Sequence, residues 1–99
     1  MKHPMRIYNV VHSEKVETEV GTKIIRVCAI TDNERYRLAR LNNVMPVRIE
    51  KQVKGNQYEV LKRCESISTA QELLPDYITD MKLEADVLVH NNNVGLFDF

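Results

Sequence analysis

The residues of this chain that could do chemistry are three histidines, two cysteines and a run of arginines, and their spacing restricts what that chemistry can be. His3, His12 and His90 fall in no H-x-x-H or H-E-x-x-H pattern. Cys28 and Cys64 stand far apart with no C-x-x-C pair, so local spacing builds neither a zinc knuckle nor a thioredoxin-type site. They read as small apolar residues buried in strands; a disulfide between them would need an oxidising compartment. A nucleophile needs a base beside it, and only a pairing made by the fold, such as His12 with Cys28, would supply one. Gly21, Gly55 and Gly95 are single, so no glycine-rich loop cradles a phosphate. The expectation is a binding protein, with no enzyme activity, no metal and no cofactor.

Charge supplies the next signal. Formal net charge is zero, yet residues 1–63 hold 13 Lys and Arg against 7 Asp and Glu, whereas residues 64–99 set Lys82 alone against 7 acids. Such asymmetry marks a partner-binding face of one sign, or two stretches that face each other in the fold. Between residues 35 and 63 only Glu50 and Glu59 oppose the cations. Arg35, Arg37, Arg40, Arg48, Lys62 and Arg63 are the candidate nucleic-acid-binding set, because neutralising phosphates releases counterions. Tyr8, Tyr36 or Tyr58 could stack on a base. Against one shared face, Arg37 lies about 200° from Arg35 on a helix. The acidic residues Glu72, Asp76, Asp80, Glu84 and Asp86 could instead enter a basic protein groove as a nucleic-acid mimic, although seven acids are few for that task.

The last stretch is the apolar segment that follows Asn91, Asn92 and Asn93. It carries Val94, Leu96, Phe97 and Phe99, the candidate protein-binding residues, and holds both phenylalanines of the chain. One reading is a terminal hairpin that buries these side chains against the sheet, since exposed Phe is costly for solubility. The other is a linear anchor, which gains about 1.5–3 kcal/mol per large apolar side chain buried on a partner, before ordering costs. Asn93-Val94-Gly95-Leu96-Phe97 resembles the peptide with which bacterial replication proteins dock on the sliding clamp: a Gln, an aliphatic, a small or acidic residue, then Leu-Phe. Here Asn93 stands in place of the Gln, and Val94 in place of the usual Leu. Leu96-Phe97-Asp98-Phe99 is also similar to the C-terminal clamp-binding hook of T-even phage polymerases. The resemblance covers seven residues and implies that Leu96 and Phe97, or Leu96 and Phe99, fill an apolar clamp pocket. A small adaptor or inhibitor encoded by a phage or other mobile element fits this picture.

The elements that must position these residues are legible from periodicity. Residues 5–12 and 15–20 read as two strands, the second alternating Val16, Thr18 and Val20 against Lys15, Glu17 and Glu19. A Gly21-Thr22 turn leads into a central strand over 23–30, and that register sets Glu17 opposite Arg26 and Thr18 opposite Ile25. Thr31 and Glu34 form a capping box, opening a helix whose buried stripe is Tyr36, Leu38, Ala39 and Leu41. A Gly55-Asn56 turn joins strands 46–53 and 57–64. It pairs Val53 with Tyr58, Lys51 with Val60, Ile49 with Lys62 and Val47 with Cys64, gathering Val47, Ile49, Val53, Tyr58, Val60 and Cys64 inward, with Leu61 the exception. A second capping box at Ser68 and Gln71 opens a helix that Pro75 ends or kinks. Residues 83–89 read as a strand with Leu83, Ala85, Val87 and Val89 inward, with helix the competing assignment.

The order βββαββα(α)β gives an α+β fold: one small mixed or mainly antiparallel sheet covered by two short helices. Ninety-nine residues suit one domain, here 1–90, with 91–99 as a C-terminal tail or terminal strand. At this size roughly 60–65% of the unfolded surface can be buried. The 43% hydrophobic and 28% charged content fits a globular chain. No run has the length of a signal peptide or a membrane span, so the expected location is cytoplasmic. Homodimerisation through an edge strand remains open.

Overall fold

A computed structural model describes the backbone of residues 7–97 and the side chains of residues 7–85. Four strands form one antiparallel meander in the order β1-β2-β3-β4. They are β1 (Tyr8–Thr18), β2 (Gly21–Ile30), β3 (Val47–Lys54) and β4 (Gln57–Cys64), with α1 (Asn33–Leu41) between β2 and β3, and α2 (Ile67–Phe97) after β4. The α+β class is as the sequence implies.

The two N-terminal strands expected from the sequence are one continuous strand. Ser13 and Glu14, between the two expected strands, pair regularly with Arg26 and Ile25; the irregularity is a bulge inside the first of them, a shift of register between Val10 and His12. The β1–β2 turn is Glu19-Val20, not Gly21-Thr22, so Arg26 faces Ser13 and Glu17 faces Thr22. Thr18 decides this. Its Oγ1 accepts from the Val20 N–H at 3.2 Å and donates to the Gly21 carbonyl at 2.6 Å, a side-chain turn of the kind Ser and Thr favour. Gly21, at φ 116°, takes the closing position that a residue with a Cβ would resist.

In the second hairpin the Gly55-Asn56 turn is as expected, with Gly55 at φ 54°. The pairs Val47–Cys64 and Ile49–Lys62 also stand. Between them two bulges change the register, so Glu50 faces Val60 and Gln52 faces Tyr58. Tyr58 and Val60 therefore leave the inner face, and Val53 is exposed rather than buried. Leu61, the exception to the alternation, is the extra residue of one bulge and packs against the core.

The core lies between α2 and one sheet face. Val16, Ile25, Val27, Ala29, Val47, Ile49 and Cys64 meet Ala70, Leu74 and Met81 of α2, which recur at helical spacing. Ser66 caps α2, accepting the Thr69 N–H on Oγ at 3.2 Å, in place of the capping box expected at Ser68. Pro75 neither ends nor breaks the helix. It lies on the exposed side, where water can satisfy the carbonyl that its missing N–H leaves free. The expected strand over 83–89 is helix, in line with the preference of Leu, Glu and Ala.

At α1 the cap is Asp32, which accepts from the Arg35 N–H at 3.1 Å, rather than Thr31. Its expected apolar stripe is not buried: only Ala39 is, while Leu38 is 57% and Leu41 77% exposed. The helix is tied down by polar contacts instead, Tyr36 Oη and Arg40 Nη1 both donating to the Glu65 carbonyl, at 3.3 and 3.2 Å.

These placements predict unequal costs. Ile25→Ala, at a fully buried position, should lose about 2–4 kcal/mol in urea unfolding, whereas Leu41→Ala should change stability by no more than about 0.5 kcal/mol.

Candidate functional site

The sheet face away from α2 carries the one buried charged residue described, Glu50, 3% exposed. In the register, Arg26 faces Glu50 across β2–β3, and Cys28 faces Arg48. Arg26 donates from Nε to Glu50 Oε1 at 2.7 Å. Arg48 brings Nε to 2.5 Å from Oε2, out of line for a hydrogen bond, so that contact is an ion pair. The Cys28 thiol lies 3.5 Å from Oε1 as a weak donor.

Each arginine then crosses a strand to reach a tyrosine. The guanidinium of Arg26, from β2, sits 3.5 Å from the ring centre of Tyr58 on β4. That of Arg48, from β3, sits 4.2 Å from the ring centre of Tyr8 on β1. Tyr8 is held by its own Oη, which donates to the Met45 carbonyl at 3.0 Å. Stacking on an aromatic face favours a guanidinium over an ammonium. The five side chains make a row across the sheet: Tyr8, Arg48, Glu50, Arg26, Tyr58. A concavity of about 730 Å³ opens over them, lined also by Val10 and Cys28.

Burial opposes ionisation of Glu50, but the hydrogen bond from Arg26 and the charges of Arg48 and Arg26 outweigh it and hold the carboxyl below its ordinary value. Burial raises the Cys28 thiol, and the Glu50 charge raises it further. Burial also raises Cys64, against the lowering effect of Lys62. Both thiols are free and buried, as small apolar strand residues would be. The register sends Cys28 and Cys64 to opposite faces, so no disulfide joins them. His12, opposite Val27, is likewise on the other face from Cys28 and pairs with Glu14 at 2.8 Å. Among the described residues no three His, Cys, Asp or Glu gather to hold a metal ion, and no helix is long and apolar enough to cross a membrane.

The basic set read from the sequence is divided. Arg48 is in the row, and Arg63 faces it across β3–β4. Lys62 faces Ile49, on the α2 side, and Arg35, Arg37 and Arg40 are on α1. Val94, Leu96 and Phe97 fall on the last turns of α2, where only the backbone is described, and Phe99 lies outside the described residues. Arg26 and Glu50 are functional candidates that sequence reasoning missed. The available signal was the lone Arg26 in an apolar strand and the Arg48-x-Glu50 alternation between buried Val47 and Ile49. No family model matches the chain, and no curated protein or solved structure matches it.

The row makes stability depend on pH with a definite sign. Because the folded-state value of Glu50 is lowered from 4.5, its contribution is full above that pH and is lost as pH falls through the lower folded value. Glu50→Gln should cost about 2–3 kcal/mol at pH 7, leaving two arginines without their counter-charge. It should also flatten the acid limb of thermal stability below pH 4.5, as measured by circular dichroism melts across pH.

Proposed function

We propose that this chain is a non-enzymatic binding module that docks on a protein partner through the far end of α2. The observation that supports this is the length of that helix. Ala85, far along that helix, lines a hollow of about 310 Å³ with Thr18, Val20 and Val53, beside the two hairpin turns. The helical backbone nonetheless runs on to Phe97, and those 12 further residues add about 18 Å. The apolar Val94, Leu96 and Phe97 are thus carried on the last turns of this long helix. Val20 and Val53 expose apolar surface next to that point, and exposed apolar surface of this kind favours protein contact.

The partner is a protein with an apolar pocket for two or three large side chains. Given the resemblance of residues 93–99 to clamp-docking peptides, a sliding clamp is the first to try. An adaptor or inhibitor role follows from that mode of attachment, since the chain would bring its domain to the partner without altering it chemically.

Removing residues 94–99 is the decisive experiment. The truncated protein should melt within about 3 °C of the full chain, because no more than about 0.5 kcal/mol of folding free energy is at stake. It should lose clamp binding in calorimetry, as should Leu96→Ala with Phe97→Ala. A truncation that unfolds the domain would put the tail in the core and end this reading; unchanged binding would remove the tail as the anchor.

A further inference from the structure

We propose that the sheet face away from α2 binds single-stranded nucleic acid, with Arg26, Arg48 and Arg63 taking phosphates and the two tyrosine–arginine stacks taking unpaired bases. This goes beyond protein docking and uses none of the residues of the α2 end.

Three independent observations carry it. The first is the route by which the tyrosines arrive. Counting back along β1 from His12 and Val16, which face α2, strict alternation would put Tyr8 on that side as well. The bulge after Val10 reverses the parity, so Tyr8 faces Ile30 and Val10 faces Cys28 on the open face. On β4 the bulge at Leu61 does the same for Tyr58, which would otherwise share a face with Cys64. Two separate bulges on the two outer strands deliver two aromatic rings to one face. Bulges that re-aim a side chain concentrate at functional sites.

The second is unspent donor capacity. A guanidinium has five N–H donors. Arg26 and Arg48 direct Nε at Glu50, and among the described residues their Nη groups have no hydrogen-bonding partner. Both arginines line the concavity, where planar donor pairs suit phosphate oxygens.

The third is charge. Arg63 lies directly opposite Arg48 on this face, and like charges in that position repel. Among the described residues no carboxylate pairs with Arg63; an anion between the two arginines would relieve the repulsion. By register, Lys15, Arg26, Arg48 and Arg63 share the face with only Glu17 and Glu50. The exposed acids Glu72, Asp76 and Asp80 recur every four residues along α2, which packs on the opposite face, so they do not repel a strand laid here.

The geometry favours a single strand over a duplex, a mononucleotide or an acidic protein. A duplex hides its base faces and would leave the tyrosines unused, whereas unpaired bases stack on aromatic and guanidinium planes. The stacks stand on β1 and β4, three strand spacings or about 14 Å apart, which one nucleotide does not span. An acidic protein would engage the arginines but would not need the rings.

The test is fluorescence anisotropy with a labelled oligothymidylate of about 12 nucleotides at about 50 mM salt. Binding should weaken as salt rises, with a logarithmic slope of about −2 for three phosphate contacts. Tyr58→Leu and Tyr8→Leu should each weaken it about tenfold, as should Arg63→Glu, a change at an exposed position that leaves the Glu50 row intact. Arg37→Glu on α1, with the same change in net charge, should alter affinity less than about twofold. Absence of binding at low salt would overturn the proposal, as would equal losses for Arg63→Glu and Arg37→Glu. So would inorganic polyphosphate or an acidic peptide competing as well as oligothymidylate while Tyr58→Leu has no effect.

Discussion

Glu50 is ionised where almost no water reaches it, and an ionised carboxylate in such a place is stable only while Arg26 and Arg48 both hold it. Taking one charge out of water costs several kcal/mol even after relaxation. A guanidinium at about 4 Å returns about 4 kcal/mol in a protein-like medium, so two of them offset the cost where one scarcely would. The rest of this face follows. The arginine side chains must lie flat across neighbouring strands to converge on one carboxylate, and in doing so they shelter Cys28. Their guanidiniums then need a surface that tolerates a cation, which the rings of Tyr58 and Tyr8 supply at 3.5 and 4.2 Å. The row also pins the sheet. Slipping β3 by one residue against β2 would turn Glu50 toward Leu74 and Met81 and put Val47 and Ile49 in water.

The inner half of the molecule was readable because it obeys simple periods. Val47, Ile49 and Cys64 alternate as strand residues should, so fold class and the sheet side of the core followed from polarity alone; the helix side did not, because Pro75 reads as a stop although the helix runs through it to Met81 and beyond. On the outer face Arg48, Glu50 and Arg63 were readable in the same way, but the residues past the bulges were not, for a physical reason. A bulge adds one residue and inverts every later assignment, yet leaves no mark in composition. Tyr58 reads as inward because nothing in residues 57–64 marks Leu61 as the inserted residue, except that Leu61 spoils the alternation. The same holds for Tyr8 beyond Val11. The β1–β2 turn failed differently. By composition Gly21 reads as the start of the turn, yet it closes it, because the hydroxyl of Thr18 makes a local hydrogen-bonded turn that outweighs the usual preference for Gly in the first central position. At α1 the apolar residues were real, but Leu38 and Leu41 have no layer to pack against, and carbonyl contacts at Glu65 hold the helix in its place.

The uneven charge along the chain resolves into a division between faces. The only ion pair described between the acidic third and the sheet is Lys51–Glu84, at 3.0 Å. Glu72, Asp76 and Asp80 remain exposed on α2, and Lys15, Arg48 and Arg63 belong to the opposite side. Among the described residues the two stretches therefore meet in that one ion pair, and the core of α2 and the inner sheet face stands between the α2 acids and the outer-face cations. The outer sheet face, with Lys15, Arg26, Arg48 and Arg63 against Glu17 and Glu50, can engage a polyanion without facing the exposed acids of α2.

A polar cluster that existed only to satisfy Glu50 would be built differently from the one present. Stability would be served as well by an apolar residue at position 50, since a buried ion pair is often replaced by packed hydrophobic side chains at no cost. It would also be served by Glu rather than Arg at position 63, which would remove the repulsion across β3–β4. The observed cluster keeps the repulsion and sets both guanidiniums beside Glu50 at the Nε end, on residues that line a concavity and each stack on an aromatic ring. Glu50 then acts as a positioning residue. It fixes two arginines at known places on a rigid sheet, so that whatever anion binds there meets donors already in position and loses less free energy to ordering them. That arrangement has a cost in stability and a return only when the face is occupied.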